Sequence, residues 1–178
     1  TWAYDEDTPA QPSPWTSEQA GYYYVNGSTG TDSGRTYGTP TAPRLTIPNP
    51  VPAGAKVWIA GTYTTGYSGT ALDFDGTSGS PCWLIGVTGM SVDSSYWAVT
   101  GSYGTITGFF YDETGMVLLS PVDHFVVRDS IGAVLAEGDI PGTLATCTVD
   151  TTCCGGPPPP GGNTDWSVQY LQNVKLIA

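Results

Sequence analysis

The chain has 178 residues, with 24 Gly, 15 Pro and only 12 % charged residues. That suits one turn-rich domain and disfavours long solvent-exposed helices. Five cationic side chains against sixteen acids leave a formal charge of −11, which excludes the basic footprint of a nucleic-acid binder and disfavours anionic membrane surfaces.

A hydrophobic fraction of 39 %, with 6 Trp, 11 Tyr and 4 Phe, is too high for a disordered chain. No apolar run reaches the length of a membrane span. The sequence opens at Thr1 without a signal segment and is read as a processed mature chain. Four Cys, few Lys and many Thr, Tyr and Trp point to a secreted protein, extracellular or at the cell surface.

Residues 1–20 combine prolines and acids with Trp2, Tyr4 and Trp15. Aromatic rings are costly to leave in water. The segment reads as an extended arm on a surface, its own or a neighbour's, with a flexible leader as the plain alternative. Tyr22–Tyr23–Tyr24–Val25 is a first strand, closed by the turn-forming NGSTGTDSG. Asn26 opens an Asn-Gly-Ser sequon, a candidate glycosylation site. Pro40, Pro43, Pro48, Pro50 and Pro52 exclude a helix over 40–54.

From Lys56 onward, runs such as KVWIAGTY, CWLIGV, GTITGFFYD and HFVVRDS read as short strands separated by Gly, Ser or Asp. Anchors at Leu84, Thr105, Val126, Cys147 and Val168 recur at one constant interval. That interval suits one coil of a three-sided β-solenoid, each coil stacked about 4.8 Å from the last. GGPPPPGG is a hinge of polyproline type. Beyond it, Trp166, Val168 and Tyr170 alternate onto one face of a strand-like segment.

Three stretches together, YYYVNGSTGTDSG, TAPRLTI and PAGAKVWIAGTY, resemble the opening of right-handed parallel β-helix proteins of the pectin-lyase-like class. YWAVTGSYGTITGFFYD and SPVDHFVVRDS resemble later coils, so the likeness spans about Tyr22 to Ser130. It implies a short parallel β-helix over 21–154, after an arm at 1–20 and before a hinge at 155–163 and a terminal strand at 164–178. Family members usually carry an N-terminal helix that caps the solenoid. Here that stretch is LTIPNPVPAGAK, so the end of the stack is expected to be open, a template for another chain.

Function lives in sites rather than folds. Asp73 and Asp75 share a strand face and form a candidate Ca²⁺ pair, the plain alternative being corner chemistry; no other cofactor is implied. Asp112 and Glu113 are sequence neighbours and point apart. His124 is the sole histidine, and no catalytic set assembles around it. Among the cysteines, Cys147 with Cys153 or Cys154 closes a short loop. The fourth thiol is left to fold back onto Cys82 or bond a neighbouring subunit. Direct pairing of Cys82 with Cys147 is disfavoured, because three coil steps separate them by roughly 14 Å.

The leading expectation is a non-catalytic structural protein, a homo-oligomer or homopolymer assembling through Trp2, Tyr4, Trp15, Trp166, Val168 and Tyr170. The alternatives are a polysaccharide-active enzyme, and a glycan-binding module that stacks sugars on exposed Tyr and Trp.

Overall fold

In a computed structural model of the protein, the described residues are 7–63, 71–92, 97–108, 110–128, 131–137, 147–150 and 174–177. Side-chain packing is described up to Gly108, Trp97 apart, and at Phe125. All regular structure among these residues is β, and no helix occurs. The strands are β1 (Tyr22–Asn26), β2 (Lys56–Ala60), β3 (Thr62–Tyr63), β4 (Leu72–Asp75), β5 (Cys82–Gly86) and β6 (Ser91–Val92). They continue as β7 (Trp97–Thr107), β8 (Phe110–Arg128), β9 (Ile131–Glu137), β10 (Cys147–Asp150) and β11 (Val174–Ile177).

Every pairing between these strands is parallel. The main path runs β1-β2-β5-β7-β8-β10-β11. One register column crosses it through Tyr22, Lys56, Trp83, Thr105, Val126, Thr148 and Lys175. Its first step is the longest, and the second equals the last. From Trp83 to Thr148 the steps are nearly equal, and the last one, to Lys175, lengthens again. A second track joins β3, β6 and Tyr111 of β8. A third joins β4, β7, β8 and β9.

The expected constant interval holds between Thr105 and Val126, which face each other. Elsewhere the register slips by one residue: Leu84 pairs with Ile106, and Val126 with Thr148. Such a slip moves an anchor to the opposite face of its strand. Corner turns of unequal length absorb the difference. The fifth anchor, Val168, and the hinge at 155–163 lie outside the described residues.

Alternation places Tyr23 and Val25 inward on β1. Tyr23, Val57, Leu84 and Ile106 stand in register, all buried. Each full aliphatic burial contributes about 1.5–3 kcal/mol. β2 and β5 differ from β1 in being buried on both faces. Inward residues join the main core, while Trp58, Trp83 and Ile85 form a second, outer cluster with Trp15.

Gly104 shows how tightly the main core is filled. It pairs with Phe125, whose ring meets Phe74 edge-to-face at 4.8 Å. A Cβ at Gly104 would lie 2.6 Å from the Phe125 ring and 2.7 Å from that of Phe74. The glycine makes room for the two rings to meet.

The first strand is not an open edge, contrary to the sequence expectation. The N–H groups of β1 that point away from β2 are all bonded within the chain. Tyr22 N–H donates to Gln19 C=O, Tyr24 N–H to Tyr37 C=O and Asn26 N–H to Arg44 C=O, at 3.1, 2.9 and 2.8 Å. Tyr24 C=O accepts from Arg44 N–H at 2.9 Å. A closing loop over residues 36–46 therefore takes the place of the capping helix. The prolines exclude the helix, but Pro43 leaves Arg44 free to donate and accept.

Two carboxylates hold this closure. Glu18 accepts the Thr36 and Gly38 N–H groups. Asp32 accepts the Leu45 and Thr46 N–H groups and the Thr46 hydroxyl, and its Oδ1 lies 3.5 Å from Arg44 Nε. Gly38 has a φ of +73°, and a Cβ there would approach Tyr24 C=O to 2.5 Å. Only glycine fits this position without strain.

The Gly38 N–H is the strongest influence on Glu18. Slight desolvation opposes it, and the Thr36 and Tyr37 N–H groups and Arg35 reinforce it, leaving the carboxyl below its ordinary value. At Asp32, desolvation is the largest influence and pushes upward. The Thr46 hydroxyl and N–H, the Leu45 N–H and Arg44 together outweigh it.

Given the crowding at Gly104, Gly104→Ala is expected to destabilise the protein by about 1–3 kcal/mol, read from urea unfolding. For pH, both carboxyls are lower when folded, so their contribution is complete above the unfolded carboxylate range and lost as pH falls through the folded values. The thermal midpoint should therefore drop below about pH 4, and a Glu18→Gln, Asp32→Asn double variant should show a shallower drop.

Candidate functional site

β4 carries Leu72 and Phe74 inward and turns Asp73 and Asp75 outward. The two carboxylates share a face, as the alternation requires. Asn49 braces them: its Oδ1 accepts the Asp73 N–H and its Nδ2 donates to Ala71 C=O, both at 3.0 Å. Across the sheet, Asp73 pairs with Thr100 and Asp75 with Ser102. Ser102 in turn pairs with Asp123 of β8. The fold thus places Asp123 in the register column of Asp75, two strand spacings or about 9.6 Å along the sheet. Sequence reading missed this, because the step from Asp75 to Ser102 is longer than the step from Ser102 to Asp123.

Tyr103 follows Ser102 with a φ of +51°, the one non-glycine residue with positive φ among those described. Such a backbone costs on the order of 1 kcal/mol. It marks a corner of β7, where Gly101 also takes a positive φ of 96°. Among the described residues, no three of His, Cys, Asp and Glu gather closely enough to hold a metal ion. Asp73 and Asp75 remain a pair, well short of the six to eight oxygens Ca²⁺ takes.

Cationic groups near the sheet are engaged elsewhere. Arg44 donates from one terminal nitrogen to Thr36 C=O and faces Asp32. Lys56 Nζ lies 5.2 Å from the Tyr22 ring centroid. Asp112, Glu113, His124 and Arg128 all fall on β8; their side chains lie outside the described packing.

The outer face of β1, β2 and β5 is aromatic. Trp15 meets Trp58 at 5.2 Å and Tyr24 at 5.6 Å, both edge-to-face. Tyr22 and Trp58 are parallel, with centroids 6.1 Å apart. Trp15, Trp58 and Trp83 are 7, 3 and 4 % exposed. Trp15 of the N-terminal segment packs on the outer face of its own sheet. Its indole Nε1 is buried without a hydrogen-bond partner. Trp2, Tyr4, Trp166, Val168 and Tyr170 lie outside the described residues.

The sequon serves as a fastening. Asn26 Oδ1 accepts the Ser28 and Thr29 N–H groups at 3.0 Å. Ser28 Oγ accepts the Thr62 N–H and donates to Thr62 C=O.

Cys82 is a buried free thiol with no exposed surface. Its Sγ donates to Pro52 C=O at 3.1 Å and reaches Val51 C=O at 3.5 Å. Burial is the dominant influence on it. The Gly54 N–H opposes, the Asp75 charge reinforces and the Ala55 N–H opposes, with the thiol pushed up to about 12. Register places Cys82, Gly104 and Phe125 in one column, and Cys147 precedes the Thr148 that pairs with Val126. Three spacings, about 14 Å, thus separate the two cysteines. Cys153 and Cys154 lie outside the described residues.

No protein-family model, curated protein or solved structure matches the chain.

The thiolate is the reactive form of cysteine. Cys82 is therefore expected to resist iodoacetamide at pH 8 in the folded protein and to be alkylated once urea unfolds it, read by peptide mass.

Proposed function

We propose that the protein is an extracellular structural protein, a subunit of a self-assembling filament or surface appendage. Its body is a short right-handed parallel β-helix similar to pectin-lyase-like proteins. Support for the coil reading comes from the nearly equal register steps that link Trp83, Thr105, Val126 and Thr148 between β5 and β10. Right-handedness follows the rule for parallel crossovers.

One observation carries the assembly reading: the two ends of the sheet are unlike. β1 is sealed by its own chain, whereas β11 has β10 as its one strand neighbour among the described residues. With β1 sealed, head-to-tail stacking of the two ends is closed off; the β11 end can take a strand from a partner by β-augmentation, and a longer array continues through a further side contact. Among the described residues, the glycan-stacking alternative finds Trp15, Trp58 and Trp83 buried. A polysaccharide-active enzyme rests on Asp73 and Asp75 with Asp123 in register, and the first two have no described third partner for a metal. That alternative also sets a protein at −11 against a polyanionic substrate.

Electron microscopy of the non-reduced protein over a concentration series tests this reading. Regular filaments or discrete oligomers that grow with concentration are expected. Dispersed single particles at every concentration would overturn it, and Asp73→Asn, Asp75→Asn would then be screened for loss of polysaccharide cleavage.

A further inference from the structure

β1 ends at Asn26, and Gly27 follows it in a corner packed against β3. Both residues are half-buried, and Ser28 and Thr29 beside them are exposed, so water reaches the corner. An asparagine before glycine is chemically labile. The glycine nitrogen can attack the side-chain amide carbon, because glycine puts no side chain of its own in the way. The bond from that carbon to the side-chain nitrogen breaks, ammonia leaves with the proton lost from Gly27, and a succinimide ring forms. Water then opens the ring at either carbonyl and leaves aspartate or isoaspartate. The sequence needs no enzyme, oxidant or reductant.

Half of that chemistry is already assembled. Asn26 Oδ1 accepts the Ser28 and Thr29 N–H groups, both at 3.0 Å. These donors draw electrons from the amide carbon and stand where negative charge builds on the oxygen during attack. The other half is withheld, because the peptide group between Asn26 and Gly27 is clamped on both sides. Gly27 N–H donates to Ala60 C=O at 3.3 Å, and Asn26 C=O accepts from Gly30 N–H at 2.8 Å. Rotating the Gly27 nitrogen toward the amide carbon breaks both bonds. Gly27 is also pressed on β3, where a Cβ would lie 2.5 Å from the Thr62 carbonyl oxygen and 2.9 Å from Tyr63 Cα. Ser28 Oγ completes the hold through its two bonds to Thr62, at 3.1 and 3.4 Å.

We propose that Asn26–Gly27 is a latent self-deamidation site, primed at the side-chain carbonyl and held off by the contacts of the corner with Ala60 and Thr62. The reaction proceeds when the corner lifts from β3, a local opening rather than global unfolding. It is distinct from glycan transfer to the same side chain and independent of the assembly reading. The isoaspartyl product lengthens the main chain by a methylene group directly after the Asn26 N–H that bonds Arg44 C=O. Ageing of this site therefore acts on the seal of β1.

The test incubates full-length protein in mildly alkaline buffer, folded or unfolded in guanidinium chloride, and digests it with trypsin. The peptide ending at Arg35 holds Asn26 as its only asparagine. Its mass gain, and enzymatic methylation of isoaspartate in it, therefore report on this residue. The folded protein is expected to react at least about tenfold more slowly than the unfolded chain. Equal rates, or no reaction in the unfolded chain, would overturn the proposal.

Two variants separate a local hold from general stability. Ser28→Ala removes both hydroxyl bonds to Thr62 and should raise the folded rate at least about threefold, with the unfolded rate unchanged. Gly104→Ala weakens the core away from the corner and should leave both rates as they are. An unaltered folded rate in Ser28→Ala, or an equal rise in Gly104→Ala, would show that the corner has no hold of its own and overturn the proposal.

Discussion

The backbone of a parallel sheet can be satisfied only by a neighbour on each side, so the first strand sets the terms for everything stacked after it. Here Tyr22, Tyr24 and Asn26 direct their N–H groups away from β2, and Gln19, Tyr37 and Arg44 receive them. The loop that supplies two of these acceptors has little regular structure of its own. It holds its shape because Glu18 and Asp32 gather its N–H groups and Gly38 turns where a side chain would collide with β1. The column from Tyr22 to Lys175 is laid on that closed edge.

The same sheet is unusual in burying both faces so early. Inward, Val57, Leu84 and Ile106 stack in register. Outward, Trp58, Trp83 and Ile85 form an apolar cluster that Trp15 joins, with Tyr22, Tyr24 and Val87 packed against it. A ring from the proline-rich N-terminal segment thus helps to cover the outer face of the sheet. The unbonded indole N–H shows that coverage, not hydrogen bonding, is what the ring contributes.

Strand positions were legible because β-branched and aromatic runs end at Gly, as at KVWIAG and CWLIG, and both runs are strands. Parallel stacking was legible from spacing, and Thr105 does face Val126. The register of the other anchors was not, because corner length is set by turns whose residue count leaves no periodic trace. The closing loop was misread for a related reason. Proline excludes a helix, yet it says nothing about the lone N–H and C=O of Arg44, on which closure depends. Of the candidate site, the shared face of Asp73 and Asp75 followed from alternation. The approach of Asp123 did not, since it needs the register of three strands at once. Cys82 sits in a CWLIG run whose burial pattern only the fold reveals.

The closed edge also bears on how the chain is made. Every contact of the closure joins residues between Glu18 and Thr46. Chains fold from the N-terminus as they are synthesised. The seal on β1 is therefore available once the loop through Thr46 has emerged, before β5 or β7 exists. Each later strand then meets a template with a single bare side. A nascent polypeptide in this state presents one growing front to its surroundings.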